Sequence, residues 1–288
     1  MRCSILAIIA ILSSTSVWSG VEVGWIEDIS GNAADVDVVR NGKKIDAVRF
    51  LPIQNGDRVS VANNSPTKVT VSFGNGRNSD TIDKSHALTV KQTGEVPSVA
   101  TNLMAWVVSL GKKEPQDQRV VMASTRTSSD SSNKLNIPLL PDETTLIAGK
   151  RPLALAWQGG KPPYEVTLVR RDTREVSARF SELNTTQIIK DVSLSPGVYE
   201  LVVRDSASAA WREKVLAVEG GAIPEPPAEL RALPENARRL LSASWLAGVE
   251  EGKWALEAYT QIALLANRNG AEENFLRALE AGQLPEVK

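Results

Sequence analysis

The chain of 288 residues has little of the chemistry that most catalytic and metal sites require. It contains one cysteine, Cys3, one histidine, His86, and only 5% aromatic residues. A zinc site with a single histidine is uncommon, a Ser-His-Asp triad would have to use His86, and no nucleophile-elbow sequence occurs. His86 falls at a turn before a strand, the position of an ordinary exposed residue. We therefore predict no catalytic residue, no metal site and no cofactor.

The sequence also lacks an excess of charge of either sign. It has 33 Lys and Arg residues against 34 Asp and Glu residues, which gives a formal net charge of -1. Nucleic-acid binding depends on a strong basic excess that neutralises phosphates. We therefore exclude nucleic acid as an expected partner.

The N-terminus has the pattern of a secretory signal peptide. Arg2 precedes an apolar run at residues 5–12, and a Ser- and Thr-rich stretch ends in the sequence Val-Trp-Ser at residues 17–19. This pattern predicts a signal peptide over residues 1–19. Cys3 lies before the apolar run and not at the cleavage point, so we expect no lipid attachment and no disulfide in the mature chain.

The apolar run is too short for a permanent membrane anchor. A spanning helix needs about 20 apolar residues, and no segment after residue 19 has a comparable charge-free span. We expect no membrane span in the mature protein, and a soluble protein in the periplasm or another extracytoplasmic compartment.

Residues 20–95 carry the pattern of a small β-domain. Apolar side chains alternate with polar ones at residues 34–38 and 68–73, as they do in half-buried strands. Turn sequences rich in Gly, Asn and Asp occur at residues 41–42, 55–57 and 74–76. Such turns supply the positive-φ positions that close hairpins. The segment is therefore predicted to form a small β-sandwich or β-roll.

The order of these short elements resembles a FecR-type domain. It comprises a glycine-bounded first strand, an Arg-Asn-Gly hairpin, a Gly-Asp turn before a strand, and a strand that ends in a glycine turn. The matching positions are Gly24, 29–31, 36–42, Leu51, 56–61, 69–76 and 88–90. The resemblance implies a periplasmic, non-enzymatic domain that some relatives use to sense or relay envelope signals. The membrane-spanning and cytoplasmic parts of the signalling members have no counterpart here, so binding is the function that the resemblance implies.

Two segments separate this β-domain from the next. Residues 96–111 carry an apolar cluster, which predicts a short helix or a strand that caps the first core. Residues 112–136 are charged and then dense in Ser and Thr, with too few large apolar side chains to form a core. We predict a flexible linker there.

Residues 137–220 return to the strand pattern. Alternation is clear at residues 153–157, 164–169, 197–204 and 214–218. About seven strands over ~80 residues are typical of a β-sandwich. The runs at residues 155–169 and 194–205 resemble an immunoglobulin-like or fibronectin-like domain, with Trp157 in its core. No cysteine pair is present, so the antibody-type disulfide is missing.

The chain changes character at a proline-rich hinge, residues 221–233. The following residues, 234–288, are rich in Ala and Leu, and Pro and Gly stand at expected helix ends. Apolar spacing predicts three helices, at residues 234–248, 253–267 and 271–281. Residues 252–266 are similar to the second helix of a tetratricopeptide repeat, although the preceding helix lacks that motif's Leu-Gly pair. The tail is therefore predicted to be a helical hairpin or a three-helix unit.

The fold class predicted from these patterns is mainly β with an α-helical C-terminal segment. We interpret the chain as an exported, non-catalytic binding or scaffold protein of the cell envelope that engages a protein partner. One alternative is a FecR-like signalling regulator. The other is a glycan-binding or carboxylate-dependent glycan-active protein, because two carboxylates at a suitable distance can come from any part of a fold.

The helical tail is the predicted partner-docking element. Three short helices form a core too small to cover every large side chain, so some aromatic surface should remain exposed. Exposed aromatic clusters are typical interface anchors. The candidate anchors are Trp245, Trp254, Tyr259 and Phe275. In the alternative arrangement, the tail folds back on the second sandwich as a stabilising cap.

Overall fold

A computed structural model describes residues 21–91, 96–112, 134–266, 268 and 270–287. The predicted signal peptide and most of the predicted linker lie outside these residues. The described part of the chain is mainly β-sheet, with helices concentrated towards the C-terminus, which confirms the predicted fold class. No helix within it has both the length and the apolar character needed to cross a membrane.

The first eight strands form two antiparallel four-stranded sheets. They are β1 (Glu22–Ser30), β2 (Val36–Arg40), β3 (Lys43–Asp46), β4 (Pro52–Gln54), β5 (Arg58–Val61), β6 (Lys68–Phe73), β7 (Asn78–Ile82) and β8 (Leu88–Thr89). The strand orders are β4-β1-β6-β7 and β3-β2-β5-β8. Each strand pairs with a neighbour in the antiparallel direction.

Alternating apolar side chains join these two sheets in one core. Val71 of one sheet, and Val38 and Val59 of the other, are fully buried in the same apolar cluster. The predicted hairpin between β2 and β3 is present, and its two residues Asn41 and Gly42 have φ values of 50° and 76°. Asparagine and glycine tolerate this left-handed conformation, which matches the twist of the flanking strands.

Seven strands form the second sandwich. They are β9 (Thr144–Ile147), β10 (Gly149–Ala156), β11 (Tyr164–Arg170), β12 (Val176–Leu183), β13 (Gln187–Leu194), β14 (Gly197–Arg204) and β15 (Ala210–Val218). One sheet has the order β12-β11-β14-β15-β9, with β9 parallel to β15, and the other consists of β10 and β13. Trp157 is buried as predicted, and its ring meets that of Tyr164 edge-on at 5.3 Å.

The described chain also contains five α-helices: α1 (Ser98–Lys112), α2 (Ala228–Arg231), α3 (Glu235–Gly248), α4 (Ala255–Ala263) and α5 (Gly270–Glu280). The three predicted tail helices correspond to α3, α4 and α5. Helix α4 ends at Ala263, before the predicted residue 267. The Arg268 guanidinium donates a hydrogen bond of 2.6 Å to the Ala263 carbonyl. A side-chain donor of this kind satisfies a carbonyl at a helix end, where no amide of the helix reaches it.

Helix α1 packs with the C-terminal helices. It contacts α5 most extensively, and then α3 and α2. Buried apolar side chains of α1, the second sandwich and the tail form one continuous cluster. Leu135 also belongs to this cluster, and the backbone of Asn136 pairs with that of Gln158. Packed structure therefore begins by Leu135, slightly before residue 136, where the predicted linker ends, because Leu135 is part of this core.

Helix α4 covers one edge of the second sandwich. The Thr260 hydroxyl lies 3.3 Å from both the amide nitrogen and the carbonyl oxygen of Ala154 in β10. The buried Glu257 carboxylate accepts hydrogen bonds from the Ile147 amide at 3.2 Å and from Arg151 at 2.7 Å. These contacts satisfy strand-edge groups that would otherwise need water or another strand.

Candidate interaction face

The four aromatic residues predicted to be partner anchors are buried within the chain. Trp245 is 9% exposed, Trp254 is 4% exposed, and Tyr259 and Phe275 are fully buried. The expectation that the tail leaves these side chains exposed is therefore wrong. The tail takes the alternative arrangement, in which it folds back on the second sandwich. In this conformation the four side chains do not offer a surface to a partner.

Helix α1 and strand β13 contact two of these side chains, Phe275 and Tyr259. The Phe275 ring meets the Trp106 ring of α1 at 6.1 Å, with the two planes 83° apart. The Tyr259 hydroxyl donates to Glu280 Oε1 at 2.6 Å and accepts from Gln187 Nε2 at 2.5 Å. Burial and the neighbouring Glu280 carboxylate raise the pKa of Tyr259 far above its ordinary value. The tail is thus part of a larger core.

His86 lies at the surface, as the sequence predicts. Its side chain is 54% exposed, and Nε2 lies 3.4 Å from Asp80 Oδ2. Across residues 21–91, 96–112 and the described remainder of the chain, no group of three or more His, Cys, Asp and Glu side chains is placed to hold a metal ion.

The five-stranded sheet of the second sandwich has one face in the core and one face towards solvent. Side chains such as Leu168, Tyr199 and Val215 point inward and are buried. Because side chains alternate along a strand, their neighbours in sequence point outward. We call these outward side chains the outer face. They are Glu165, Thr167, Val169, Val176, Arg179, Val198, Glu200, Val202, Arg204, Arg212, Lys214 and Leu216, with Arg171 just beyond β11.

The outer face exposes apolar side chains on neighbouring strands. Val198 and Leu216 are paired across β14 and β15 and are 36% and 38% exposed. Val176, at the far edge of the sheet, is 44% exposed and pairs with Val169. Glu200 and Lys214 continue the row of Val176 and Val169 across β14 and β15. Along those two strands they are the outward neighbours of Val198 and Leu216. An apolar surface interrupted and rimmed by charge is typical of protein-binding surfaces.

The charges of the outer face are mostly basic. By strand register the face carries the basic residues Arg171, Arg179, Arg204, Arg212 and Lys214 and the acids Glu165 and Glu200. Both acids lie beside an arginine: Glu165 is 4.0 Å from Arg179, and Glu200 is 3.6 Å from Arg212. A shallow depression of about 110 Å³ is lined by Arg171, Glu200, Arg212, Glu213 and Lys214. Glu213 adds a third carboxylate, against five basic side chains. The face is thus positively charged in a chain that is nearly neutral.

A second concave feature lies between the first sandwich and the helices. This cleft of about 660 Å³ is lined by Val48 and Arg49 on one side and by Val107 and Val108 of α1 on the other. Arg49 forms a largely buried ion pair of 3.0 Å with Glu272 of α5. The ion pair joins the two walls of the cleft, so we interpret the cleft as the boundary between the first sandwich and the helices.

Comparison with known proteins gives no family assignment. No protein-family model and no curated protein matches the chain, so the FecR-type resemblance has no independent support. Among solved structures, immunoglobulin-like domains match part of it. In Dpr1 IG1 bound to DIP-eta IG1, the match has 12% identity and a TM-score of 0.22, and it covers 30% of this chain and 97% of that chain. In the ZIG-8–RIG-5 IG1 heterodimer, it has 9% identity and a TM-score of 0.20, and it covers 39% of this chain and 97% of that chain. In the ZIG-8 IG1 homodimer, it has 10% identity and a TM-score of 0.19, and it covers 39% of this chain and 94% of that chain. TM-scores near 0.2 are too low to support a functional conclusion.

The sequence contains a signal for the outer face, but it lies in aliphatic and charged residues and not in aromatic ones. In β14 the outward residues Val198, Glu200 and Val202 alternate with the buried inward residues Tyr199, Leu201 and Val203. An outward set that mixes valine with charge differs from the uniformly polar outward set expected for a solvated sheet face. The same departure recurs in β15, whose outward residues are Arg212, Lys214 and then Leu216.

Proposed function

We propose that the chain is an exported, non-catalytic envelope protein that binds another protein through the outer face. The observation that carries this proposal is the exposure of Val198, Leu216 and Val176 on one rigid sheet surface among charged side chains. Exposed apolar side chains on regular strands need no rearrangement before they meet a partner. Preorganisation of this kind reduces the entropy lost on binding.

Export is supported by the N-terminal sequence. The small residues Val17 and Ser19 suit signal peptidase, so the mature chain should begin at Gly20 or Val21. N-terminal sequencing of the protein from its native envelope tests this. A chain that keeps Met1 and stays in the membrane fraction would contradict the cleaved, exported form.

Site-specific photocrosslinking tests the binding surface. We would place a photoreactive phenylalanine derivative at Leu216 on the outer face and, separately, at Ile189 on β13. Ile189 is the matched control because it is also an aliphatic strand residue and is 45% exposed, but it lies on the other sheet. We expect one defined protein crosslinked from position 216 and none from position 189. No adduct from either position, or the same adducts from both, would refute a binding role for the outer face.

A further inference from the structure

The charge of the outer face identifies the kind of partner that fits it. We infer, on the basis of the proposed function, that the partner presents an acidic protein surface with a small apolar centre. Of the five basic side chains on the face, Arg179 and Arg212 each lie within 4.0 Å of an acid on the face. Within the described residues, Arg171, Arg204 and Lys214 form no ion pair at that distance. Glu213 lines the same depression as Arg171 and Lys214 but forms no ion pair with either among the described residues, so these three cations can pair with carboxylates of a partner.

A second copy of the chain is a poor occupant of the outer face. A twofold interface brings the same patch of both subunits together, so the patch must be self-complementary. Here each copy would bring three arginine or lysine side chains without an ion pair, together with apolar side chains. Like charges facing each other across an interface disfavour the complex. An acidic partner satisfies the same cations without this repulsion.

A membrane surface also fits the outer face less well than a protein does. Anionic lipid headgroups would attract the basic residues, but they would repel Glu200, which lies between Val169 and Lys214 in the sheet. The exposed apolar side chains are mainly short valines on rigid strands. Surfaces that insert into lipid are typically amphipathic helices that present Trp, Phe and Leu. A protein surface can place a basic group opposite Glu200 and acids opposite its neighbours.

Salt dependence and charge reversal test the inference. The probe is poly-L-glutamate, followed by changes in the amide NMR signals of the full mature chain. We expect changes in β14 and β15 that fade between about 50 and 500 mM NaCl, because salt screens charges on exposed surfaces. Lys214→Glu should weaken binding of the probe about tenfold or more, since it replaces an attractive charge with a repulsive one. Lys190→Glu, an exposed residue of β13, makes the same charge change on the other sheet and should have little effect.

The partner captured from Leu216 then separates the inference from the proposed function. If the purified partner binds and Lys214→Glu weakens it about tenfold through a slower, salt-dependent association, the inference stands. If the partner binds equally well to wild type and Lys214→Glu, the protein-binding function stands and the acidic-partner inference is overturned. Stronger binding of the face to phosphatidylglycerol vesicles than to poly-L-glutamate, or a dimer abolished by Leu216→Asp, would also overturn it. If nothing crosslinks from position 216, both proposals fail.

Discussion

Replacing Phe275 with alanine tests whether the helical tail is part of the core. Phe275 is fully buried, and its ring packs edge-on against Trp106 of α1. Loss of a buried phenylalanine side chain costs about 3–5 kcal/mol, because apolar surface is lost and a cavity remains. The aromatic pair itself contributes about 0.5–1.5 kcal/mol beyond its area, which favours the upper part of that range. We expect the thermal midpoint to fall by about 6–20 °C, if about 2–4 °C corresponds to 1 kcal/mol in a domain of this size.

The assay is thermal and urea unfolding followed by tryptophan fluorescence, with Leu264→Ala as the control. Leu264 belongs to the same tail, directly after α4, but it is 42% exposed. Its truncation should change the free energy of unfolding by no more than about 0.5 kcal/mol. An unchanged midpoint for Phe275→Ala would refute the packing of the tail against α1. Equal losses for both variants would show that the tail is sensitive to any truncation and that burial is not the cause.

Three further predictions concern α4. Thr260→Val should lower the free energy of unfolding by about 1–3 kcal/mol, because buried polar groups of β10 lose their hydroxyl partner. Thr260→Ser keeps that hydroxyl and should be less destabilising, and urea unfolding distinguishes the two variants. Arg151→Met should lower the free energy of unfolding, measured in urea, by about 1.5–3 kcal/mol, because it removes a charge-assisted hydrogen bond to the buried Glu257. The control Lys44→Met breaks an exposed ion pair and should lower it by less than about 1 kcal/mol. Because the folded state raises the pKa of Tyr259, folding favours the protonated hydroxyl. The resulting stability is complete below the unfolded-state value of 10.0 and decreases above it by up to about 1.4 kcal/mol per pH unit. Tyr259→Phe should lose less unfolding free energy than the wild type as the pH rises above 10. An identical loss in both proteins would show that Tyr259 is not the titrating group.

Local patterns were sufficient to predict most of the secondary structure. The turn at Asn41 and Gly42 needs positive φ, which few other residue pairs adopt, so the hairpin follows from two residues. The strands around Trp157 follow from side chains that alternate with a period of two. Such features depend on neighbours in sequence. The end of α4 at Ala263 was not predictable in the same way, because the capping guanidinium of Arg268 belongs to the next segment.

The tail's contacts could not be derived from its own sequence. Counting only three helices predicts a small core that leaves aromatic side chains exposed. The structure adds α1, which lies more than 100 residues earlier in the chain, and the edge of the second sandwich. These distant surfaces bury Phe275 and Tyr259 respectively. Amphipathic spacing shows that a helix has an apolar face, but it does not show which surface covers that face.

The arrangement of α4 also separates the proposed binding surface, the outer face, from the helical tail. Helix α4 occupies the edges of β9 and β10, where an incoming strand would otherwise pair, and the tail aromatics fill the adjoining core. The outer face is the solvent side of the five-stranded sheet, and its exposed apolar side chains do not belong to that core. Binding and tail packing should therefore be separable. Leu216→Asp should abolish capture of the partner while lowering stability no more than Ile189→Asp does. Phe275→Ala should lower stability while leaving partner affinity unchanged at temperatures where the chain is folded. Loss of binding in Phe275→Ala under those conditions would show that the tail takes part in recognition.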